Sequence, residues 1–510
     1  MAKPEHPERN GALEDRNDLP EGWIRIALQD VVSRIADGSH NPPKKQATGI
    51  PMLSARNIEN GRIKFEDYRL ISPREFESES KRTHIEPGDV LLTIVGSIGR
   101  SAVVPQRCEP FALQRSVAVL KPVAIDPGLL MYELRAPFCQ SFFEQEGAGT
   151  AQKGIYLGKL ATLPVLLPPQ AEQKRIIAKI EGLTARVEAS LARLAKVPAI
   201  LKRFRQSVLA AACSGRLTAA WRESHPDVEP ASNLLSRIRV ECEREDTSEL
   251  KLDKQEIPDT WAWSRFGFLM GELRNGISTK PNIDPPGTKI LRISSVRPGA
   301  VSFSDVRYLP KARDLISAHR LRNDDLLFTR YNGSLDLLGV CGMVRVLPEE
   351  PLLYPDKLMR VRFDHAYVLP AFIEIFFQSP EARDRVTEKS KSSAGQQGVS
   401  GADIKAQHVA LPPIEEQREI VRRVEALFKL ADAIEKRVAM ATVRTEKLTQ
   451  SILAKAFRGE LVPTEAELAR REGRDYESAS ALLTRIRSEI ASKAVRKEER
   501  NDRASAALLS

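Results

Sequence analysis

The chain has 510 residues, of which 42% are hydrophobic and 29% charged, a composition typical of a soluble globular protein large enough for three or four domains. No stretch approaches the roughly 18 consecutive apolar residues of a membrane span, and the polar N-terminus lacks the apolar core of a secretory signal. The formal net charge of +10 is compatible with a polyanionic partner, but many basic proteins never bind nucleic acid.

The cysteines bear on the compartment and on metal binding. They are odd in number, widely spaced and without the CxxC or histidine spacing of a zinc site. We therefore expect a reduced, cytoplasmic protein that holds no structural metal. The five positions are Cys108, Cys139, Cys213, Cys242 and Cys341.

The chain begins with a polar leader, residues 1–18, and a β-rich segment, residues 19–165. Short β-forming runs such as VLLTIVGS alternate there with turns of Gly, Pro, Asn and Ser, which predicts a mixed α/β (α+β) domain. In these turns Lys and Arg suit phosphates, whereas Asn, Gln, Arg and Ser can contact base edges. The turns are either solvated surface loops or a DNA-binding face, with candidate residues Ser39, His40, Lys44, Lys45, Arg56, Asn57, Arg100, Gln114, Arg115, Gln152 and Lys153.

A helical region, residues 166–250, begins at LPPQAEQKRIIAKIEGL. Its two prolines suit a helix start, and a carboxylate follows in the first turn. Apolar residues then recur at spacings of three and four, which is typical of a coiled-coil seam, and Pro198 is predicted to interrupt the helix. This heptad stripe consists of Ile176, Ile180, Leu183, Val187, Leu191 and Leu194.

The second half of the chain repeats the first at an offset near 244. It contains a β-rich segment (257–410), a helical region (411–491) and a charged tail (492–510). Three matched pairs of segments occur in the same order: LPEGW with IPDTW, PGDVLLTIVGS with NDDLLFTRYNGS, and GTAQKGI with AGQQGVS. So long a period indicates a duplicated domain and not a repeat array. The candidate DNA-binding residues of this half are Ser278, Lys280, Asn282, Arg292, Arg330, Tyr331, Asn332, Lys357, Gln396 and Gln397.

A second heptad stripe begins within LPPIEEQREIVRRVEAL at 411–427, and Thr442 stands where the first copy has Pro198. An ordinary core-facing helix would explain either stripe alone. Two matched stripes favour helices that pack on one another, antiparallel, around a pseudo-twofold axis. The second stripe consists of Ile420, Val424, Leu427, Ala431, Ile434 and Val438.

Possible catalytic motifs are weak. Asn41-Pro42-Pro43 matches the NPP core of amino-methyltransferases, but Lys44 stands where an aromatic residue would stack the base. Pro226-Asp227 with Glu249 and Lys251 fits a loose nuclease pattern, but the interval is charged and helix-like. The sequence has neither GxxxxGK[ST] nor HExxH. We therefore expect a protein without a catalytic centre.

Two motifs carry a family resemblance. The first is LPP-x2-EQ with its long heptad helix, and the second is S-[VI]-L-A…G-x-L, present as SVLAAACSGRLT (207–218) and SILAKAFRGELV (451–462). Together with the duplication they resemble the specificity (S) subunit of Type I restriction-modification systems. The resemblance covers about residues 19–490.

The resemblance implies two target recognition domains, 19–165 and 257–410, that each bind half of a split, asymmetric DNA site. It implies that the helices form an antiparallel coiled coil and dock two methyltransferase (M) subunits, which recruit two restriction (R) subunits. S-adenosylmethionine, ATP and Mg²⁺ would then belong to these partners, and this chain would bind no cofactor. The implied partner-docking helix starts are Leu167, Pro168, Pro169, Glu172, Gln173, Leu411, Pro412, Pro413, Glu416 and Gln417.

Two alternatives compete with this interpretation. A coiled-coil scaffold whose globular halves bind protein would share the heptads and the duplication. The specificity module of a related single-chain restriction enzyme would share the recognition domains, but such enzymes carry a further catalytic domain for which this chain has no room. Sequence-specific binding to duplex DNA separates the alternatives.

Overall fold

In the computed structural model, the described residues are 19–147, 153–244, 256–310, 313–388, 391–393 and 396–489. For Arg313, residues 391–393, Gln396 and Gln397 the description covers the backbone alone. The predicted leader, the tail and Gln152 lie outside the described residues. The chain divides into two compact units: unit 1 is Met1–Leu194 with Met440–Ser510, and unit 2 is Ala195–Ala439.

Unit 1 begins with a β-rich body and continues into a long helix. Its strands are β1 (Ile24–Ala27), β2 (Val32–Asp37), β3 (Ile50–Leu53), β4 (Ile58–Glu59), β5 (Arg62–Ile63), β6 (Arg69–Ile71), β7 (Val90–Thr93), β8 (Ser101–Val103), β9 (Ala112–Leu113), β10 (Val117–Pro122) and β11 (Pro164–Leu167). Its helices before residue 195 are α1 (Pro73–Thr83), α2 (Pro127–Leu134), α3 (Pro137–Glu146), α4 (Leu157–Ala161) and α5 (Gln170–Leu194).

Unit 2 places three helices before its β-rich body: α6 (Val197–Cys213), α7 (Ala219–Glu223) and α8 (Ala231–Glu241). The strands are β12 (Ala262–Arg265), β13 (Glu272–Asn275), β14 (Thr288–Leu291), β15 (Val296–Arg297), β16 (Ala300–Val301), β17 (Val306–Leu309), β18 (Leu326–Thr329), β19 (Tyr331–Asn332), β20 (Cys341–Met343), β21 (Leu352–Leu353), β22 (Leu358–Arg362), β23 (Lys391–Ser393), β24 (Gln396–Gly398) and β25 (His408–Leu411). The helices among and after them are α9 (Phe266–Leu269), α10 (Arg313–His319), α11 (Pro370–Gln378), α12 (Pro380–Glu388), α13 (Gly401–Lys405) and α14 (Ile414–Ala456), and α15 (Glu465–Glu472) follows in unit 1.

Four sheets of unit 1 have counterparts of the same strand order in unit 2, which confirms the duplication. The order β2-β10-β7-β8 in unit 1 matches β13-β22-β18-β20 in unit 2, and β6-β3-β9 matches β17-β14-β21. The pairs β1-β11 and β4-β5 match β12-β25 and β15-β16. Both three-stranded sheets combine one antiparallel and one parallel pairing, as in β3 with β6 and β9.

The long helices follow the heptad prediction. Proline starts both copies, since the carbonyls of Pro169 and Pro413 accept the first helical hydrogen bonds. The first helix is interrupted before Pro198, where α5 ends and α6 begins, whereas α14 runs unbroken through Thr442 for 43 residues. Every stripe position is buried or half-buried; the fully buried ones are Ile176, Ile180, Val187, Ile420, Val424 and Ala431.

The core of each unit draws on both sequence repeats. In unit 1, the body of residues 23–180 shares one apolar cluster with Leu453, Phe457 and Leu483 from the end of the chain. In unit 2, the body shares its cluster with Val208 and Leu209 of α6. Thus each body packs against its own following helix and against the distal helical segment of the other repeat. None of the described helices is long and apolar enough to cross a membrane.

Candidate nucleic-acid interface

Two buried side chains at the start of α5, Glu172 and Gln173, join this helix to the β-rich body of unit 1. Nε1 of Trp23 donates to Oε1 of Glu172 at 2.9 Å, and the backbone N–H of Glu465 donates to Oε2 at 2.9 Å. Gln173 accepts from the backbone N–H of Asp126 at 2.7 Å. Burial raises the pKa of Glu172, although the bonds from Glu465 and Trp23 oppose that rise. The LPEGW and EQ motifs therefore fasten the body to the helix.

Unit 2 repeats this arrangement, but a hydroxyl takes the place of the backbone donor and the guanidinium of Arg222 also pairs with Glu416. Nε1 of Trp261 donates to Oε2 of Glu416 at 2.9 Å. The other carboxylate oxygen accepts from the hydroxyl of Thr218 at 2.6 Å, where unit 1 uses a backbone N–H. Gln417 accepts from the backbone N–H of Leu369 at 2.8 Å. Sequence alone did not reveal these pairings, because the tryptophan and the glutamate are 149 and 155 positions apart.

The predicted partner-docking helix starts are all buried within their own unit. Their side chains join the body to the helix, so a partner at these helix starts would contact their exposed neighbours. Docking there stays a prediction. The ten residues are Leu167, Pro168, Pro169, Glu172, Gln173, Leu411, Pro412, Pro413, Glu416 and Gln417.

Gly38 in unit 1 and Gly276 in unit 2 each allow two loops of the same unit to approach closely. A β-carbon on Gly38 would collide with the carbonyl oxygen of Leu113, and one on Gly276 would collide with that of Pro355. These contacts are with backbone, which cannot rotate away as a side chain can. The glycine is therefore required for the polar loop after β2 or β13 to lie beside the loop before β10 or β22.

Thr93 and Thr329, which end the shared D-[VL]-L-[LF]-T motif, hold the loops that follow them. Both are buried. The hydroxyl of Thr93 accepts from the backbone N–H of Arg100 at 2.9 Å, and that of Thr329 accepts from Val340 at 3.1 Å. A sequence motif shared by the two halves thus shapes the same loop in each unit.

Backbone hydrogen bonds bring the polar loops of unit 1 together. Four loops that are distant in sequence become neighbours: residues 37–46, 94–100, 113–116 and 153–157. The bonds run from the N–H of Arg115 to Ser39, from Ile94 to Ser116 and from Gly96 to Lys153, at 2.9, 2.9 and 3.0 Å. The sequence-predicted loops therefore form one surface.

The corresponding loops of unit 2 meet in the same way. They are residues 276–282, 330–334, 354–358 and 396–400. The bonds run from the N–H of Asp356 to Ile277, from Arg330 to Lys357 and from Val399 to Arg330, at 2.9, 2.8 and 2.9 Å. The bridge between Val95 and Gly154 in unit 1 becomes a short ladder between β19 and β24 here.

Most basic candidates of unit 1 are exposed and carry unneutralised charge. No carboxylate among the described residues lies within ion-pair distance of them. Such side chains are available to phosphates or bases. They are Lys44, Lys45, Arg56, Arg100, Arg115 and Lys153.

Two other candidates of unit 1, Ser39 and Asn57, are built into the loops. Ser39 is buried and donates to Glu79 at 2.8 Å. Asn57 is 1% exposed, and its amide donates to the carbonyls of Lys64 and Glu66 at 3.0 and 2.7 Å. These two side chains therefore hold the loops in place instead of facing a ligand. Gln114 is half-buried.

The candidates of unit 2 are more varied. Ser278, Lys280, Asn282 and Lys357 are exposed, and Asn332 is half-buried. Arg292 is exposed but paired with Asp305 at 2.8 Å. The guanidinium of Arg330 lies 4.9 Å from the ring centre of Tyr331, in the range of a cation–π contact. Gln396 and Gln397 lie on β24, with only their backbone described.

A cleft of about 460 Å³ opens among the loops of unit 1. Buried Asp37 lies in its wall, where its carboxylate bonds Arg82 at 2.6 Å and His40 at 2.7 Å. Burial acts to raise the pKa of Asp37, but the hydrogen bonds from Arg82 and His40 and the attraction of their charges together hold it below the usual value. The bonds to Asp37 therefore fix His40 and Arg82 beside Arg115, which also lines the cleft.

Tyr156, which sequence reasoning missed, lines the same cleft and is 77% exposed. It occupies the N-cap of α4 without a side-chain capping bond, whereas the equivalent Ser400 caps α13 by accepting from Asp403. Ser is a preferred N-cap residue and Tyr is not. The aligned segments contained the signal, because Tyr156 directly follows Ile155, the last residue of GTAQKGI, and Ser400 directly follows Val399 at the end of AGQQGVS.

Comparisons with known proteins place this geometry in a class. A family model described as the type I restriction modification DNA specificity domain matches residues 20–198 and 276–440. Two solved chains share the fold: the HsdS subunit from Thermoanaerobacter tengcongensis (TM-score 0.53, 19% identity, 88% of this chain and 100% of that one) and a chain of a type I R-M system (TM-score 0.55, 18% identity, 87% and 100%).

The sequence relatives agree. The chain is 38% identical to the type I restriction enzyme EcoKI specificity subunit of Escherichia coli (strain K12), over 94% of this chain and 98% of that protein. It is 31% identical to the StySPI specificity subunit of Salmonella potsdam, over 94% and 97%. The chain therefore belongs to the type I restriction modification DNA specificity family.

Proposed function

We propose that this chain is the DNA-recognition subunit of a type I restriction-modification complex, and that each unit binds one half of a bipartite, asymmetric DNA site. The observation that carries the proposal is the repeated loop surface. Equivalent backbone hydrogen bonds build it in both units, yet the exposed side chains on it differ. Equal scaffolds with unequal side chains suit two different half-sites.

Charge supports duplex DNA as the ligand. The unneutralised Lys and Arg side chains of the unit 1 loops suit phosphates, and Lys280 and Lys357 supply similar charge in unit 2. Each phosphate contact releases counterions, so binding should weaken steeply with salt. Phosphate contacts position the protein, whereas side chains facing base edges provide sequence preference.

Assembly is the second part of the proposal. The chain would join methyltransferase and restriction subunits, and the duplicated helical regions would bind two identical methyltransferases. S-adenosylmethionine, ATP and Mg²⁺ would serve those partners, which would carry methylation and cleavage. The family of the chain is one of non-catalytic subunits.

The test is selection of randomised duplex DNA by the chain co-expressed with its methyltransferase partner. We expect enrichment of one motif with two specified parts and an unspecified gap, and native mass spectrometry should show two methyltransferases per chain. A complex that enriches no motif would contradict DNA recognition and favour a protein scaffold. A 1:1 limit at saturating methyltransferase would contradict the duplicated docking alone.

A further inference from the structure

Arg115 and Asp356 occupy equivalent positions in the two units, as the backbone hydrogen bonds around them show. In unit 1 the N–H of Gly38 donates to the carbonyl of Val117 at 3.1 Å; in unit 2 Gly276 donates to Leu358 at 3.0 Å. In each unit, the residue two positions before Val117 or Leu358 donates its backbone N–H to the loop that contains the glycine. Arg115 bonds the carbonyl of Ser39, and Asp356 that of Ile277, both at 2.9 Å.

The two side chains differ in charge and in exposure. Arg115 is exposed and lines the cleft of unit 1. Asp356 is half-buried, and no cationic side chain of the described residues pairs with it. A carboxylate is repelled by DNA phosphates but is attracted to a hydrogen-bond donor on a base edge.

The chemistry of base edges matches both residues. Arg donates two hydrogen bonds to O6 and N7 of guanine, while Asp accepts from an exocyclic amino group, most directly N4 of cytosine. We propose that this shared position makes a specifying base contact in each half-site, Arg115 with guanine and Asp356 with the amino group of cytosine or adenine. The inference rests on the proposed function and names residues that carry it.

The backbone supports this role because it fixes both positions from two sides. Each residue donates its N–H to the loop after β2 or β13, and Gly38 or Gly276 permits that approach. Holding the backbone still limits how far the side chain can shift to accept another base, which sharpens discrimination. The short Asp and the long Arg would differ in reach, so their base pairs need not occupy equivalent places in the two half-sites.

The experiment compares Arg115→Asp and Asp356→Arg with the parent chain, each co-assembled with the methyltransferase and given duplexes randomised at every specified position. We expect Arg115→Asp to lower the preference for guanine at one position of one half-site by at least about fivefold. Asp356→Arg should change one position of the other half-site by a similar factor. All remaining positions should keep their preferences.

Two controls separate charge from base contact. Arg107→Asp makes the same charge change at an exposed position outside the four loops, and Asp384→Asn removes an exposed carboxylate on α12. Uniform weakening on all sequences by Arg115→Asp, as with Arg107→Asp, would identify a phosphate contact and overturn the inference while leaving the proposed function intact. A parent chain that selects no motif would instead overturn the proposed function.

Discussion

Trp23 shows how a single side chain can couple the recognition body to its helix. Its indole N–H donates to the buried carboxylate of Glu172, and that carboxylate also accepts from the backbone N–H of Glu465. Trp261 has the same place in unit 2. Because the carboxylates are buried, loss of one donor leaves an acceptor without a partner.

We expect Trp23→Phe to destabilise unit 1 by about 1–3 kcal/mol, the cost of an unpaired buried acceptor added to a small packing loss. Hydrogen exchange of the backbone amides of β1 and β11 measures this locally. Trp263→Phe is the control, since Trp263 is half-buried in unit 2 and outside the Trp–Glu pairs. Equal, small effects of the two substitutions would show that the Trp23–Glu172 bond contributes little.

Tyr156 contributes no capping bond to its helix. It occupies the N-cap of α4, a position where Ser, Thr, Asp or Asn is preferred. Tyr156→Ser places a preferred N-cap residue at the start of α4, which should stabilise that helix by up to about 1 kcal/mol. If the phenol stacks on a base or contacts a phosphate, DNA affinity should fall about tenfold in the same variant. Hydrogen exchange of α4 and titration with a labelled duplex measure the two effects. Improved helix stability with unchanged DNA affinity would remove Tyr156 from the interface.

At the scale of elements, sequence predicted those features that depend on local pattern. The heptad stripes predicted α5 and α14, Pro198 predicted the break before α6, and the D-[VL]-L-[LF]-T motif predicted β7 and β18. The duplication predicted that the two bodies share one topology. These succeeded because periodicity and proline act within a few residues.

Features that depend on contacts between distant residues escaped prediction. Asn57 and Arg56 are adjacent polar residues in one turn, yet Asn57 is buried by bonds to Lys64 and Glu66 while Arg56 is exposed. Nothing local distinguishes a polar side chain that holds a loop from one that faces a ligand. Asp356 was overlooked for a similar reason, since only the hydrogen-bond pattern aligns it with Arg115.

We predict that the long helices set the number of base pairs between the two half-sites. The chain passes between units at Leu194–Ala195 and, within α14, at Ala439–Met440. Four residues inserted as one added turn at the end of α5 and as one added turn within α14 should lengthen the helical connection by about 6 Å, since a helix rises about 1.5 Å per residue. Duplex DNA advances about 3.4 Å per base pair, so we expect one to two more base pairs in the gap and unchanged half-sites.

The insertion experiment has an internal control. The sequence register alone predicts that four residues inserted after Gly215 widen the gap by one to two base pairs. Because α6 ends at Cys213 and Gly215 lies in the turn before α7 within unit 2, we now expect this insertion to leave the gap unchanged. Methylated motifs mapped in one host would compare the two variants. An unchanged gap in an active variant with both insertions would mean that the helices do not set the spacing.

Considered over the whole molecule, each unit is built from segments of both sequence repeats. Unit 1 takes its last helical segments from the C-terminal end, and unit 2 takes α6 from the middle. Each unit thereby receives the same parts: a body, the helix after it and the distal segment of the other repeat. This sharing predicts two equivalent partner sites and two independent recognition bodies.

The most direct test of the account is replacement of residues 19–165 by the corresponding segment of a relative with a different target. The backbone bonds from Gln173 to the body, such as that from the N–H of Asp126, should survive because they do not depend on the replaced side chains. Methylated motifs are then mapped with the same methyltransferase partner. We predict that one half-site changes while the other half-site and the gap stay as in the parent. A change in both half-sites would contradict it.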